Sequence, residues 1–385
     1  VWVFRFVCIS CFLGMVSVPF NAMYTAKQYI AELTVYAFAT TLCNFCFLYY
    51  MATHPGFWLT KYAFWSCLVA VLPQLIISIR GYFIFQECRF SWRYAFERSR
   101  VCSLFKYTGW QMFGTLGSLA RGQGMAVLVN KYFGPSVNAA MSIGNTVNGQ
   151  ANALASAMQG AFMPAITSAY GSGDMGKTKS LMYRACKFGV LLSFIFTIPL
   201  CIEINEVLRL WLVTPPEYTA GLCVSMMVAL IIDKSTIGHM AVVHATGRIA
   251  KYQLLLGGSL IATLPLAWLF FYFGFGVYSL CVAIILTIAV CAGGRVFFTR
   301  AYVGVPIREW LRKVFVPLTL TVTVTLAVGF IPSFVLSSNF QRICLTTVLC
   351  EVALFSCAWY FVLDCAEREL VRSKCNAVIA KIRGN

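Results

Sequence analysis

Apolar residues run through this chain in stretches long enough to cross a membrane. They fall at about 3–22, 29–52, 62–85, 107–129, 138–164, 185–203, 219–241, 252–273, 275–298, 314–336 and 343–363. Each is close to the roughly 20 residues that span a hydrocarbon core as a helix. We label these segments a to k. Pro73, Pro199 and Pro265 lie inside them, which a membrane helix tolerates because neighbouring helices or water satisfy the freed carbonyls. The pattern predicts an all-α integral membrane protein with about 11 transmembrane helices. Two shorter stretches are amphipathic and are expected along a membrane face: Pro306 to Lys313, with Trp310 between Arg308 and Arg312, and Glu206 to Tyr218, with Trp211.

Composition sharpens this picture. Of 385 residues, 60% are hydrophobic and 11% charged, against about 25% charged in a soluble domain. A soluble globular reading is excluded, and no length remains for a separate soluble catalytic domain. A net charge of +17 would suggest nucleic acid in a soluble protein, but here the basic residues sort by loop, and no nucleic-acid partner is expected. One alternating set of connections holds Lys27, Arg89 to Lys106, Lys177 to Lys187, Arg248 and Lys251, Arg295 to Lys313, and the tail. The opposite set holds only Lys61, Lys131, Arg209 and Arg342. Basic loops stay in the cytoplasm, so the C-terminus is expected there. The 17 cysteines lie mostly within apolar runs, as at Cys8, Cys11, Cys43 and Cys46. They read as small buried hydrophobes rather than a disulfide framework or metal site. The chain opens at Val1 inside an apolar stretch, without an initiator Met or the charged flank of a signal peptide, the expectation for an N-terminally truncated fragment.

The longest charged connection before mid-chain, 86–106, divides the chain. The expected organisation is three spans over 1–85, a basic cytoplasmic loop at 86–106 and a six-helix bundle over 107–300. An amphipathic connector with an extra helix pair follows at 301–363, and a basic cytoplasmic tail at 364–385.

Catalytic constellations are scarce. His54, His239 and His244 are the only histidines, and no nucleophile elbow, HExxH or P-loop pattern occurs. An enzyme is the weaker class, and no cofactor or metal is expected. The informative residues are polar ones inside spans. In segment e, Asn145, Asn148, Asn152, Ser156 and Gln159 recur at spacings of three and four, so they share one helix face. Such a stripe must face protein or water, either as interhelical hydrogen bonding or as the lining of a sugar-binding cavity. Segment d carries Gly109, Gly114, Gly117, Gly122 and Gly124, with Arg121 and Gln123. Its glycines allow close helix contact. Arg121 either binds a phosphate or acidic sugar, or pairs with a buried carboxylate or snorkels outward. Asp233 and Lys234 lie mid-span in segment g, as coupling or substrate groups or as members of a structural ion pair with another helix. His239 reads as a core residue.

These residues form a familiar set. Val18-Pro-Phe-Asn-Ala-Met, Gly109-Trp-Gln-Met-Phe-Gly and Arg121-Gly-Gln-Gly running into Asn130-Lys-Tyr-Phe-Gly-Pro come first. Pro164-Ala-Ile-Thr-Ser-Ala-Tyr-Gly-Ser-Gly-Asp, Trp211-Leu-Val-Thr-Pro-Pro-Glu-Tyr, Ala245-Thr-Gly-Arg-Ile-Ala-Lys-Tyr-Gln and Leu264-Pro-Leu follow. In order and spacing they resemble polysaccharide flippases of the Wzx type, within the multidrug/oligosaccharidyl-lipid/polysaccharide exporter superfamily. The resemblance covers nearly the whole chain and is densest from about 105 to 300.

The resemblance implies two six-helix bundles around a central cavity and an extra helix pair. Here a to c would be the second half of the first bundle, d to i a complete second bundle, and j and k the extra pair. It implies a bacterial inner-membrane transporter for an undecaprenyl-pyrophosphate-linked oligosaccharide, working by alternating access in cell-surface polysaccharide synthesis. Arg121, Gln123, Asn145, Asn148, Asn152, Gln159 and Lys234 would contact that lipid-linked oligosaccharide. Asp233 would carry a coupling proton or sodium ion, and polysaccharide-assembly enzymes would be partners. The nearest rival is an ion-coupled multidrug exporter of the same superfamily. A membrane enzyme of polysaccharide assembly is less favoured, because the outer connections are short.

Overall fold

A computed structural model describes residues 2–27, 29–54, 59–88, 98–212, 214–336, 340–364, 367–369 and 372. The basic residues Arg89 and Arg93 of the expected loop, and Lys374, Lys381 and Arg383 of the tail, lie outside the described residues. Every described element is a helix. Eight of them are long and apolar enough to cross a membrane, and a bent helix pair makes a ninth. The chain is therefore a multi-pass membrane protein, all-α among the described residues.

The chain divides into two compact units, Val1–Val101 and Cys102–Asn385. In the first, α1 (Trp2–Ala26), α2 (Ile30–Thr53) and α3 (Leu59–Ile84) are followed by one 3-10 turn, Gln86–Cys88. Tyr24, Ile77 and Phe85 form its small core. Three polar ties fix α1 and α2 to α3 and the turn: Ser17 to Gln74 at 3.3 Å, Glu32 to Arg80 at 2.6 Å, and Lys27 to Glu87 at 2.8 Å. The Lys27–Glu87 bond lies beyond the helices and holds the Glu87 carboxyl below its ordinary range. Most large apolar side chains of α1 and α2 are exposed, among them Phe12 and Phe38. Cys8, Cys11, Cys43 and Cys46 are exposed with them, which corrects the expectation that they are buried. On a helix facing hydrocarbon, an apolar side chain needs no protein cover.

Next is α4 (Arg98–Gly171), a 74-residue helix with one interruption, whose residues from Cys102 on open the second unit. Gly134 there has φ +83°, a left-handed conformation that L side chains rarely adopt. Pro135 follows, lacking an N–H and pre-set for a first helical turn. The Gly134-Pro135 step thus ends one helical arm and starts the next, separating segments d and e where the sequence placed a break. Neither arm belongs to the long apolar helices above. The first arm already runs from Arg98, inside the stretch expected as a loop.

Then come α5 (Met175–Ile202), α6 (Ile204–Leu212), α7 (Thr219–Lys234), α8 (Ile237–Ala245), α9 (Ala250–Tyr272) and α10 (Ser279–Val303). The amphipathic stretch at 206–218 is helical only as far as Leu212, in α6. Asp174 caps α5 through its side chain, 2.9 Å from the Lys177 N–H. One core packs α5 against α8 and the C-terminal helices, around Met182, Phe194 and Val242. A second packs both arms of α4 against α7, α9 and α10, around Val129, Met141, Leu222 and Ala267. The expected glycine contact is present: a Cβ on Gly117 would sit 2.8 Å from the Gly257 backbone, so α4 and α9 touch main chain to main chain.

The final elements are α11 (Ile307–Trp310), a π turn (Leu311–Phe315), α12 (Val316–Gly329), α13 (Ile331–Val335), and α14 (Phe340–Cys357) with a terminal π turn (Ala358–Val362). The stretch expected as a separate amphipathic connector at 306–313 instead runs without a break into α12. Polar side chains tie this pair to the middle and the C-terminal end of α5. Glu203, 2% exposed, takes Arg342 at 2.7 Å and Thr346 at 2.9 Å. Lys187, 1% exposed, pairs with Asp364 at 2.9 Å and Glu367 at 3.3 Å. Lys187 is thus a buried helix residue rather than the loop residue expected, because α5 starts at Met175 and not near 185.

Candidate functional site

A cavity of about 1000 Å³ opens within the second unit, at the upper end of the roughly 300–1,000 Å³ range of ligand pockets. Both arms of α4 line it, with α7, α8, α9 and α10. The second arm contributes Asn145, Asn148, Asn152, Gln159 and Met163, at helical spacings that bring one face round to the cavity. The four amides of the stripe thus face an open space rather than a neighbouring helix. Ser156 is not part of the lining, but its hydroxyl bonds the Asn152 amide oxygen at 3.3 Å. The Asn148 amide oxygen is buried without a protein partner.

The first arm contributes Tyr107, Gln111, Ser118 and Arg121. Arg121 Nη1 is buried without a hydrogen-bond partner, although the side chain is close enough to feel the Asp233 charge. Gln123 does not line the cavity and is exposed. Two residues on from Arg121, a helix has turned about 200°, which carries Gln123 to the far side.

The floor is built on a helix break. α7 ends at Lys234 and α8 starts at Ile237, bent by 44° across Ser235 and Thr236. A break at membrane depth frees backbone carbonyls that must find donors. Arg295 of α10, 5% exposed, supplies one: its Nη1 donates to the Asp233 carbonyl at 3.1 Å and to Thr236 Oγ1 at 3.3 Å. Trp310 Nε1 supplies another, to the Ser235 carbonyl at 3.2 Å. Arg295 also pairs with the Asp233 carboxylate at 2.7 Å and donates from Nε to the Tyr252 hydroxyl at 3.1 Å. Lys234 Nζ lies 3.7 Å from the same carboxylate. Asp233 is therefore in an ion pair with another helix, the structural alternative left open by the sequence, and it also lines the cavity. Across the cavity, Gln253 Nε2 donates to Gln111 Oε1 at 2.6 Å, joining α9 to α4.

The lining thus holds three cations, Arg121, Lys234 and Arg295, against one carboxylate, Asp233. Cations with low-dielectric walls favour an anionic occupant, and the amide stripe offers both donors and acceptors. Of the expected contact residues, Arg121, Asn145, Asn148, Asn152, Gln159 and Lys234 converge here with Asp233, and Gln123 does not. His239 is a core residue, 1% exposed, its Nδ1 3.7 Å from Cys186 Sγ. No cluster of His, Cys, Asp or Glu able to hold a metal occurs among the described residues.

Sequence reasoning missed Arg295, Tyr252, Gln111 and Gln253. Arg295 lies only three residues inside the expected end of its apolar run at 298 and was counted with the basic connection that follows, whereas α10 extends to Val303 and places Arg295 two turns inside. The pair Gly293-Gly294 just before it was the available signal, since small residues at a helix interface let a large polar neighbour reach across. No family model, no curated protein and no solved structure matches this chain.

Proposed function

We propose that this protein is a flippase moving an undecaprenyl-pyrophosphate-linked oligosaccharide across the bacterial inner membrane by alternating access. The observation that carries the reading is the cavity itself, in which three cations outnumber one carboxylate beside a stripe of four side-chain amides. Such a substrate has an apolar tail, an anionic diphosphate and a polar sugar head. Crossing hydrocarbon unaided would strip many hydroxyls and charges of hydrogen bonds, each at a cost of several kcal/mol. Arg121 and Lys234 receive the diphosphate, Asn145, Asn148, Asn152 and Gln159 replace water around the sugars, and the tail stays in lipid. Any coupling to a proton or sodium ion runs through Asp233, with Arg295 as the group the ion competes with.

In this reading both arms of α4 and the bent α7–α8 pair also cross the membrane, which makes eleven spans with the C-terminus cytoplasmic. A multidrug exporter of the same superfamily is the second reading. It is disfavoured by the cavity's charge, which repels lipophilic cations.

The double substitution Asn148→Leu with Asn152→Leu tests the amide stripe. It keeps the branched heavy-atom shape and raises helix propensity, so the fold is expected to survive. Surface polysaccharide in a flippase-deficient bacterium is expected to fall at least tenfold at equal protein abundance, from the loss of one to two hydrogen bonds to sugar. Wild-type transport by the double variant would show that the stripe only packs helices.

A further inference from the structure

Arg308 and Arg312 lie four residues apart on the continuous stretch of α11 and the π turn, and residues so spaced share a face. With Glu309, Lys313, Pro317, Phe361, Val362 and Asp364 they line a groove of about 580 Å³ between the start of α12 and the end of α14. None of these residues lines the central cavity.

The charges of the groove are not balanced. Lys313 Nζ bonds Glu309 Oε1 at 2.7 Å and lies over the Tyr183 ring at 5.5 Å. Asp364 is taken by Lys187 at 2.9 Å. Both carboxylates therefore already have cations of their own. Arg308 and Arg312 are exposed and make no ion pair among the described residues. Two unmatched guanidiniums one turn apart are a phosphate-binding geometry, since each presents a planar fork of donors.

The rest of the groove is apolar. Pro317, Phe361 and Val362 form its wall, and the adjacent surface exposes Phe315, Val316 and Tyr360. A free phosphate would use the guanidiniums and leave this wall unused. A phospholipid would use both, as basic pockets at the ends of membrane helices do.

We propose that this groove binds an anionic phospholipid, with its phosphate on Arg308 and Arg312 and an acyl chain along Pro317 and Phe361. The bound lipid joins α12 to the end of α14 and so fastens the C-terminal helix pair from the outside, where the buried Lys187 and Glu203 pairs fasten it to α5 from within. This inference does not rest on the flippase reading and holds for any membrane protein with this groove.

The test is native mass spectrometry of the detergent-purified full chain. The probes are dioleoylphosphatidylglycerol, dioleoylphosphatidylcholine and inorganic phosphate, each added at the same concentration. Wild type is expected to retain phosphatidylglycerol in preference to phosphatidylcholine. The exposed double variant Arg308→Gln with Arg312→Gln is expected to lose about thirtyfold in that preference, from two surface cations. Arg300→Gln, at the exposed end of α10, is expected to lose nothing. Three results would overturn the proposal: unchanged lipid retention in the double variant, an equal loss with Arg300→Gln, or displacement of the lipid by inorganic phosphate. The last would mark a site for free anions.

Discussion

Arg295→Met is expected to remove most of the folded protein from the membrane. Arg295 holds the broken helix together, through the Asp233 carboxylate, the Asp233 carbonyl, Thr236 and Tyr252. Methionine fills similar volume but donates nothing, leaving the Asp233 carboxylate without its closest cation and the Tyr252 hydroxyl without the Nε–H donor, while the Asp233 carbonyl keeps the Thr236 N–H at 3.3 Å. Removing one partner of a buried ion pair costs about 3–5 kcal/mol. Asp233 is 25% exposed, toward the cavity, and keeps Lys234 at 3.7 Å, which places the loss near the lower end, about 3 kcal/mol. That is a large part of the roughly 5–15 kcal/mol that holds a typical protein folded.

The readout is the monodisperse peak of a fluorescent C-terminal fusion on size-exclusion chromatography, expected to fall severalfold. Adding Asp233→Asn removes the uncompensated charge and is expected to restore part of the peak, because the two residues act as one unit. A single variant with wild-type yield would mean that the helix break is held by Trp310 and the surrounding packing alone.

Arg121→Ala is expected to do the opposite: leave folding intact and cut transport. Arg121 has a buried Nη1 with no partner, so its removal orphans no protein group and relieves a cation set inside the membrane. In the proposed function its role begins when an anion enters. A hydrogen bond to a charged group contributes about 1.5–3 kcal/mol, which corresponds to a roughly ten- to hundredfold drop in transport. Arg121→Lys keeps the charge without the fork of donors and is expected to fall between the two. The measurement is surface polysaccharide at matched protein abundance. Wild-type transport with Arg121→Ala would remove this residue from the substrate path.

Much of this arrangement was legible in the chain. The three-and-four spacing from Asn145 to Gln159 placed a polar face on one helix without knowledge of its neighbours, because helical periodicity is local. The gap between the apolar runs ending near 129 and starting near 138 marked the change of arm, which the structure places at Gly134-Pro135, and Asp233 and Lys234 stood out as charges at membrane depth. Partnership was not legible. Asp233 finds its cation 62 residues away on α10, and nothing in the spacing of either residue announces the other. Arg295 and Lys187 were read as loop residues because hydropathy marks where apolar runs thin out, and polar residues that pair inside a bundle thin them prematurely. Gln123 shows the converse: closeness in sequence to Arg121 suggested a shared task, and helix rotation separates them. The exposed cysteines of α1 and α2 follow the same logic, since an apolar run does not tell a helix that packs on protein from one that faces hydrocarbon.

The most direct test of the central claim is complementation. The full reading frame carrying this chain is expressed in a bacterium deleted for its own polysaccharide flippase, and two pools are measured together: surface glycan, and lipid-linked oligosaccharide on the cytoplasmic face of the inner membrane. The account predicts that surface glycan returns while the inner-face pool falls. Normal expression with no surface glycan and an undiminished inner-face pool, accompanied by raised drug resistance, would contradict it and assign the cavity to drug export.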